Sequence, residues 1–186
     1  MLHYDIDWRE LLQVGEELQA TDKQTIFALG RAMRRTEATL RRMSSKGLTK
    51  VLQLRAATVL RKRLKSIKLR MSAAGSRDQG MSLWYGLNDL PVSSFKGRPT
   101  RTKDGASFRG TEYDGGFVGR SKVKGKQTIF KRVKEARLPV AEQLHAIESK
   151  TIEFIEDEIF DQVLDVFWQH FRRDLRARVK FKLGES

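Results

Sequence analysis

The sequence lacks cysteine entirely and has only three prolines in 186 residues. Without cysteine the chain has no disulfide framework, no thiolate metal site and no cysteine nucleophile. No stretch approaches the roughly 18 consecutive apolar residues of a membrane helix, so no membrane span is expected. The first residues also lack the basic and apolar regions of a secretory signal. We therefore expect a protein made and used in the cytoplasm, or in a particle assembled there.

Acidic residues are scarce beside basic ones, 23 against 37, which gives a formal net charge of +14. The charge is arranged in blocks: residues 23–70 hold fifteen basic residues against the single Glu37, whereas residues 1–22 and 141–171 are net acidic. The excess of positive charge predicts a polyanionic or acidic partner. Blocks of opposite sign also suit contacts between copies of the chain, and solvated helix faces are the alternative interpretation.

The N-terminal half has helical periodicity. Thr21 and Gln24 are spaced as in a capping box, which predicts a helix that begins near Asp22. Apolar residues then recur at spacings of three, four or seven: Ile26, Leu29, Met33, Leu40 and Met43. A second helical pattern covers 48–67, either as a separate helix after the polar stretch 44–47 or as part of one long kinked helix. Together they predict a basic helical arm over about 22–70.

The middle of the chain, about 81–140, reads as a β-rich core. Short apolar or aromatic runs predict four strands: 82–87, 106–109, 116–121 and 127–133. The segment 122–126 is expected to join the last two as a hairpin. The segment 88–105, with two prolines, is expected to be a long loop that is functional or orders on a partner.

An amphipathic helix is predicted at about 146–180, because apolar residues repeat at three and four from Ile152 to Leu175. The tail, 179–183, alternates apolar and basic residues and predicts a small edge strand. The order of these elements favours an α+β class: basic N-terminal helices, a small antiparallel sheet in the middle and a long C-terminal helix. The length favours a single domain over 1–186.

No constellation typical of catalysis is present. Glu142, His145 and Glu148 have spacings that a metal could use on a helix, but no second ligand cluster accompanies them, so a solvated helix N-terminus is the preferred interpretation. Glu153, Asp157 and Asp161 would share a helix face, and a solvated or subunit-facing acidic stripe is preferred over paired catalytic carboxylates. Nucleophile-elbow, phosphate-loop and dinucleotide motifs are missing from the sequence. We therefore expect no enzymatic activity, no cofactor and no metal.

The basic helical arm could neutralise phosphates or meet an acidic protein surface. No DNA-reading motif or aromatic ladder accompanies it, so any nucleic-acid contact is expected to be nonspecific. The candidate contact residues are Arg31, Arg34, Arg35, Arg41, Arg42, Lys62, Arg63 and Lys65.

The centre of the chain carries four motifs in order: Trp84-Tyr85-Gly86-Leu87-Asn88 with Leu90-Pro91, then Gly116-Phe117-Val118, Phe130-Lys131-Arg132, and Leu138-Pro139-Val140. This set resembles the phage minor tail protein Z family, the lambda-type tail completion proteins. The likeness covers about 81–140 closely, and the flanking helices match in pattern only.

The resemblance implies structural work at the head-proximal end of a phage tail, where such proteins complete the tail and enable productive joining to the DNA-filled head. It implies localisation in the virion and contacts with the tail terminator, the tail tube and the head–tail connector. Self-association as a hexameric ring follows from the six-fold symmetry of tails. Nonspecific contact with the viral DNA is compatible with the basic arm.

Six residues are the candidate partner interface: Trp84, Pro91, Arg98, Arg101, Phe117 and Arg132. For Trp84 and Phe117 the alternative is a buried core role. Two other functions compete with a tail protein, namely a nonspecific nucleic-acid-binding protein that uses the basic helices and a metal-dependent nuclease that uses the acidic helix.

Overall fold

The computed structural model describes residues 2–5, 8–70, 80–121 and 125–184 of the chain. These residues form four α-helices: α1 (Trp8–Glu17), α2 (Asp22–Val51), α3 (Glu148–Phe154) and α4 (Val163–Lys180). One π turn, Ile155–Ile159, and one 3₁₀ turn, Phe160–Gln162, join α3 to α4.

The strands are short and pair only in antiparallel fashion within the described residues. They are β1 (Leu2–Asp5), β2 (Leu64–Arg70), β3 (Gly80–Tyr85), β4 (Leu90–Pro91), β5 (Thr100–Arg101), β6 (Gly105–Phe108), β7 (Thr111–Asp114), β8 (Gly116–Arg120), β9 (Gln127–Arg132), β10 (Val140–Glu142) and β11 (Leu144–His145). Helices combined with small antiparallel sheets and a long C-terminal helical segment confirm the predicted α+β class.

The chain, expected from its length to be one domain, is organised as two compact units. Unit 1 contains Met1–Ser45, Arg61–Gly86 and Ile155–Ser186. Unit 2 contains Lys46–Leu60 and Leu87–Phe154. The β-rich core predicted for 81–140 thus lies mainly in unit 2, while its first strand belongs to unit 1.

In unit 1, the sheet has the order β1-β3-β2. Helices α2 and α4 run antiparallel, since contacts between them pair rising numbers on one with falling numbers on the other. The Gln24 amide donates to the Arg178 carbonyl, and Thr39 Oγ1 lies 3.2 Å from His170 Nε2. Between these contacts, Asp174 forms a salt bridge with Arg31.

The two antiparallel helices bury regular stripes. On α2, Leu29, Met33 and Leu40 of the predicted stripe are buried. In the C-terminal segment the buried positions recur every four residues: Ile155, Ile159, Val163, Phe167, Phe171 and Leu175. A period of four exceeds the 3.6 residues of an α-helical turn, and a π turn takes more residues than an α turn. The π turn at Ile155–Ile159 therefore keeps its two isoleucines on the buried face.

Local hydrogen bonds set the start of α2. The Thr21 backbone N–H donates to Gln24 Oε1 at 3.1 Å, and the Gln24 N–H donates to Thr21 Oγ1 at 3.2 Å. This reciprocal pair is the predicted capping box, which satisfies two backbone donors that a helix start leaves unpaired.

Helices α1, α2 and α4 all end in a Schellman motif in which the left-handed residue is not glycine. The residues at that position are Gln19 (φ 55°), Gln53 (φ 50°) and Lys182 (φ 50°). At the end of α2, the Leu54 N–H donates to the Thr49 carbonyl and the Gln53 N–H to the Lys50 carbonyl. These bonds satisfy carbonyls that the helix end leaves unpaired.

These helix ends correct two predictions. The helical arm over 22–70 is wrong beyond Val51: the chain turns at Gln53, forms a 3₁₀ turn at Ala57–Leu60 and continues as strand β2. The edge strand predicted at 179–183 is also wrong, because α4 runs to Lys180 and a turn follows. Before Val51, α2 continues through the polar stretch 44–47 as one helix.

Unit 2 contains three small sheets, with orders β10-β9-β8, β5-β6-β7 and β11-β4. The predicted hairpin of β8 and β9 is confirmed, with Phe117 opposite Phe130. The residues 122–124 of its connection lie outside the described residues. The segment 88–105, predicted as a long loop, contains two short strands and a 3₁₀ turn, Val92–Ser94. It is anchored within the unit by Leu90, Val92 and Phe95, all almost fully buried.

Arg109 connects several parts of unit 2. Its guanidinium donates to the carbonyls of Leu52 and Lys96, each at 3.0 Å, and to Gln53 Oε1 at 3.0 Å. It also lies over the ring of Phe95, 5.1 Å from the centroid. Burial lowers the pKa of Arg109 from its ordinary value.

Gly47 allows an aromatic side chain to pack against the backbone of α2. A Cβ at this position would overlap the ring of Phe154. Gly47 belongs to the polar stretch at which a helix break was considered, but it lies within α2 and provides the space that the Phe154 ring occupies.

We predict that Gln19→Gly stabilises the protein by up to about 1 kcal/mol, because glycine adopts the left-handed conformation without the steric cost of a Cβ. The matched control is Gln13→Gly in the exposed middle of α1, which should destabilise by about 0.5–1 kcal/mol. Urea unfolding of both variants measures the two changes. Equal destabilisation by both would contradict the assignment of Gln19 as the helix-ending residue.

We also predict that Gly47→Ala destabilises the protein by about 1–3 kcal/mol, although alanine is the better helix former, because its methyl group collides with the Phe154 ring. Thermal unfolding measures the change. The double variant Gly47→Ala/Phe154→Leu should recover part of the loss, since the smaller side chain leaves room for the methyl group. Unchanged or raised stability of Gly47→Ala alone would show that the ring does not limit the site.

Candidate partner-binding groove and basic helix surfaces

Unit 2 has an open, largely apolar groove of about 660 Å³, which we call the Phe117 groove. Its lining residues are Phe117, Gly119, Arg120, Ser121, Phe130, Arg132, Arg137, Leu138, Val140 and Glu142. Two apolar side chains are conspicuously exposed there: Phe117 at 41% and Leu138 at 69%. Exposed apolar side chains clustered in a groove are typical of a surface that binds a partner.

The antiparallel sheet β10-β9-β8 builds this groove. Phe117 and Phe130 are directly opposite in the register of β8 and β9, so their side chains share one face of the sheet. Their ring centroids are 6.1 Å apart. Gly119 is needed next to them, because a Cβ there would lie 2.9 Å from Phe130 Cδ2. Val140, opposite Arg132, extends the face onto β10.

The charges of the groove are predominantly positive. Arg120, Arg132 and Arg137 are exposed. The carboxylate of Glu142 accepts hydrogen bonds from the Ser93 backbone N–H and from Thr128 Oγ1, at 3.1 and 2.6 Å. Because that carboxylate is engaged by unit 2 itself, the groove suits a partner that offers apolar side chains flanked by carboxylates.

The predicted interface residues are only partly brought together. Phe117 and Arg132 both line the groove. Arg98 and Arg101 are exposed elsewhere in unit 2, and Pro91 is half-buried in β4, opposite Leu144.

The remaining predicted interface residue, Trp84, lies on strand β3 of unit 1, and its side chain is outside the described residues. The prediction missed Arg137 and Leu138 as lining residues of the groove. The Leu138-Pro139-Val140 motif was the available signal, although sequence does not reveal which of its side chains is exposed.

The residues of the predicted basic arm lie on α2, in the turn before β2 and on β2 itself. Arg31, Arg34, Arg41 and Arg42 are exposed on α2, and Arg35 is half-buried there. Lys62, which is exposed, and Arg63, which is half-buried, lie in the turn before β2 rather than on a helix. Lys65 is on β2, with its side chain outside the described residues.

Part of the positive charge on α2 is balanced within unit 1. The buried carboxylate of Asp174 on α4 lies 3.3 Å from Arg31 Nε, 3.9 Å from Arg35 Nη1 and 2.7 Å from Arg178 Nε. Arg31 and Arg35 thereby link α2 to α4, so not all eight predicted contact residues are equally available to a partner.

The interpretation of Glu142, His145 and Glu148 as a helix N-terminus is wrong for the first two, which lie on β10 and β11. Tyr113 Oη lies 3.1 Å from His145 Nδ1. Burial, followed by the charges of Arg109 and Lys150, lowers the pKa of His145. The imidazole packs edge-on against the rings of Phe95 and Phe108.

The acidic helix presents an exposed surface. Its members in unit 1, which we call the acidic stripe, are Glu156, Asp157, Asp161, Leu164 and Asp165. Leu164 is 45% exposed among these carboxylates. Within the described ranges no group of three histidine, aspartate or glutamate side chains is arranged to hold a metal ion.

Among the helices in the described part of the chain, none combines the length and the apolar character that crossing a membrane requires. Comparison of the chain with protein-family models, with curated proteins and with solved structures found no match.

Proposed function

We propose that this protein is a structural component of a phage virion, located at the head-proximal end of the tail, where it completes the tail and enables productive joining to the head. In this role it binds other tail and neck proteins, namely the terminator, the tube and the connector, and performs no catalysis.

One observation carries the proposal. The residues on which the family resemblance depends, including Phe117, Phe130, Arg132, Leu138 and Val140, line one exposed groove. If these motifs served only to fill a core, their apolar members would be buried. The exposure of Phe117 and Leu138 supports a role in binding a protein.

Charge complementarity supports a second copy of the chain as one occupant of this groove. The groove offers exposed apolar side chains flanked by three arginines, and the acidic stripe offers Leu164 flanked by carboxylates. Two different surfaces that fit each other form a heterologous contact, and such contacts close into rings when the rotation permits. The hexameric ring implied by the resemblance is one such closed arrangement.

Contact with the viral DNA remains part of the proposal. Arg34 and Arg41 are exposed on α2 and lie outside the Asp174 cluster. Such a surface is suited to sequence-independent binding of phosphates.

The first prediction from this proposal concerns assembly between copies. The charge reversal Arg132→Glu/Arg137→Glu should abolish self-association, because it places carboxylates opposite the acidic stripe. A chain carrying Asp157→Arg/Asp161→Arg should also fail to self-associate when it is alone, because it places arginines opposite the arginines of the groove. Mixing the two variants should restore association, as measured by light scattering after size-exclusion chromatography. Failure to restore it would contradict this pairing of surfaces.

The second prediction concerns the particle itself. Quantitative mass spectrometry of purified infectious particles should find about six copies per tail, the count of a closed ring matched to tail symmetry. Absence from the particle would contradict the proposed function and favour a free nucleic-acid-binding protein.

A further prediction separates the groove from general surface effects. Leu138→Ser should reduce the yield of infectious particles by removing an apolar contact, whereas Phe181→Ser is the control on a side chain of similar exposure, 64%. Complementation of phage that lack this protein measures both. Equal yields of infectious particles from the two variants would contradict a role of the groove in binding a partner.

A further inference from the structure

A second cavity, in unit 1, has the composition of an anion site. It is an open pocket of about 310 Å³ between α2 and α4. Its lining residues are Arg35, Ala38, Thr39, Arg42, His170 and Arg173. The α2 members are spaced as i, i+3, i+4 and i+7, which places them on one face of the helix. His170 and Arg173 are spaced as i and i+3 on α4, so the two helices face each other across the pocket.

The cations of this pocket are only partly balanced. Arg35 has a carboxylate nearby, that of Asp174, at the long distance of 3.9 Å. In the part of the chain that the structure describes, no carboxylate lies within salt-bridge distance of Arg42 or Arg173. The pocket lining itself contains no acid. At Arg42 and Arg173 a bound anion would therefore meet guanidinium groups that no carboxylate of the described residues engages.

His170 supplies an independent observation. Its Nε2 lies 3.2 Å from Thr39 Oγ1, and its Nδ1 is buried with no hydrogen-bond partner in the described structure. A buried polar atom without a partner is uncommon and calls for a physical reason. Burial, and then the charges of Arg35, Arg173 and Arg42, lower the pKa of His170. The same three arginines that line the cavity thus act on this imidazole.

We propose that the Arg35–Arg42–Arg173 pocket binds a phosphate group, either a phosphodiester of a nucleic acid or free phosphate. Guanidinium groups from two helices can reach several oxygens of a tetrahedral anion, whereas a carboxylate offers only two oxygens. The small side chain of Ala38 leaves space beside them. This inference does not depend on the proposed tail function, because the pocket is complete within unit 1.

Phosphate binding should be coupled to protonation of His170. The arginines favour the neutral imidazole, and a phosphate that offsets their charge raises the pKa of His170 again. The nearby carboxylate of Asp174 is engaged by Arg31, Arg35 and Arg178. By linkage, the affinity for a phosphodiester should rise as the pH falls through the pKa that His170 has in the complex.

The test measures the pKa of His170 by NMR in the full-length protein, with no added ligand, with inorganic phosphate and with a short DNA duplex. A higher pKa with both ligands supports a site that accepts free phosphate. A higher pKa with the duplex alone supports a phosphodiester site. No change with either ligand overturns the proposal.

Matched variants separate the pocket from general electrostatics. Arg42→Gln/Arg173→Gln should weaken duplex binding about ten-fold or more at fixed salt, because it removes two charge-assisted contacts. Lys46→Gln/Arg176→Gln removes the same charge from exposed sites on the same two helices outside the pocket and should cost clearly less. Fluorescence anisotropy measures both affinities. Equal losses of affinity would mean that only the net charge matters, which overturns the proposal that this pocket binds a phosphate group. Circular dichroism verifies that both variants fold.

Discussion

Unit 2 depends on the interactions of one guanidinium group. Arg109, at the turn between β6 and β7, donates to carbonyls at the end of α2 and in the segment that follows β4. It also stacks above Phe95 and Phe108, whose rings belong to the core. A planar group with five donors can satisfy several fixed carbonyls at once, which an ammonium on a flexible stem does less well. Arg109 thereby connects three segments: its own turn, the end of α2 and the segment after β4.

In unit 1, a buried carboxylate, that of Asp174, connects separate elements in the same way. Asp174 is buried between α2 and α4 and is compensated by arginines from both helices. Removing one partner of such a group leaves an uncompensated buried charge, so the cluster constrains the register of the two helices. With Asp174 engaged by other arginines, no carboxylate of the described residues lies within salt-bridge distance of Arg42 or Arg173. The same arrangement that stabilises the helix pair creates the pocket around His170.

Three kinds of sequence signal predicted the structure correctly. The capping box of Thr21 and Gln24 acts through residues three positions apart, so it is readable without the rest of the chain. The stripe through Leu29, Met33 and Leu40 reports the helical period directly. The hairpin of β8 and β9 was predicted from two apolar runs joined by a short segment that contains glycine. In each case the interaction is local, and local interactions leave a pattern in adjacent residues.

The sequence-based predictions were wrong where residues far along the chain determine the local conformation. Gln53 and Lys182 end their helices in a left-handed conformation that usually signals glycine, so the sequence contained no stop signal at either place. The segment 88–105 looked like a loop because its buried residues, such as Val92 and Phe95, are not periodic. They are buried only because β9, β11 and the end of α2 reach them in the fold.

The sequence by itself determined the α+β class, the blocks of opposite charge, the start of α2 and the hairpin that carries Phe117. The tertiary structure alone decided that Phe117, Arg132 and Leu138 share one exposed groove, and that arginines from two distant segments surround His170. The physical reason is the range of the interactions. Caps, periodicity and turns depend on neighbours within a few residues, whereas a groove or a pocket depends on which surfaces remain uncovered after every element has packed.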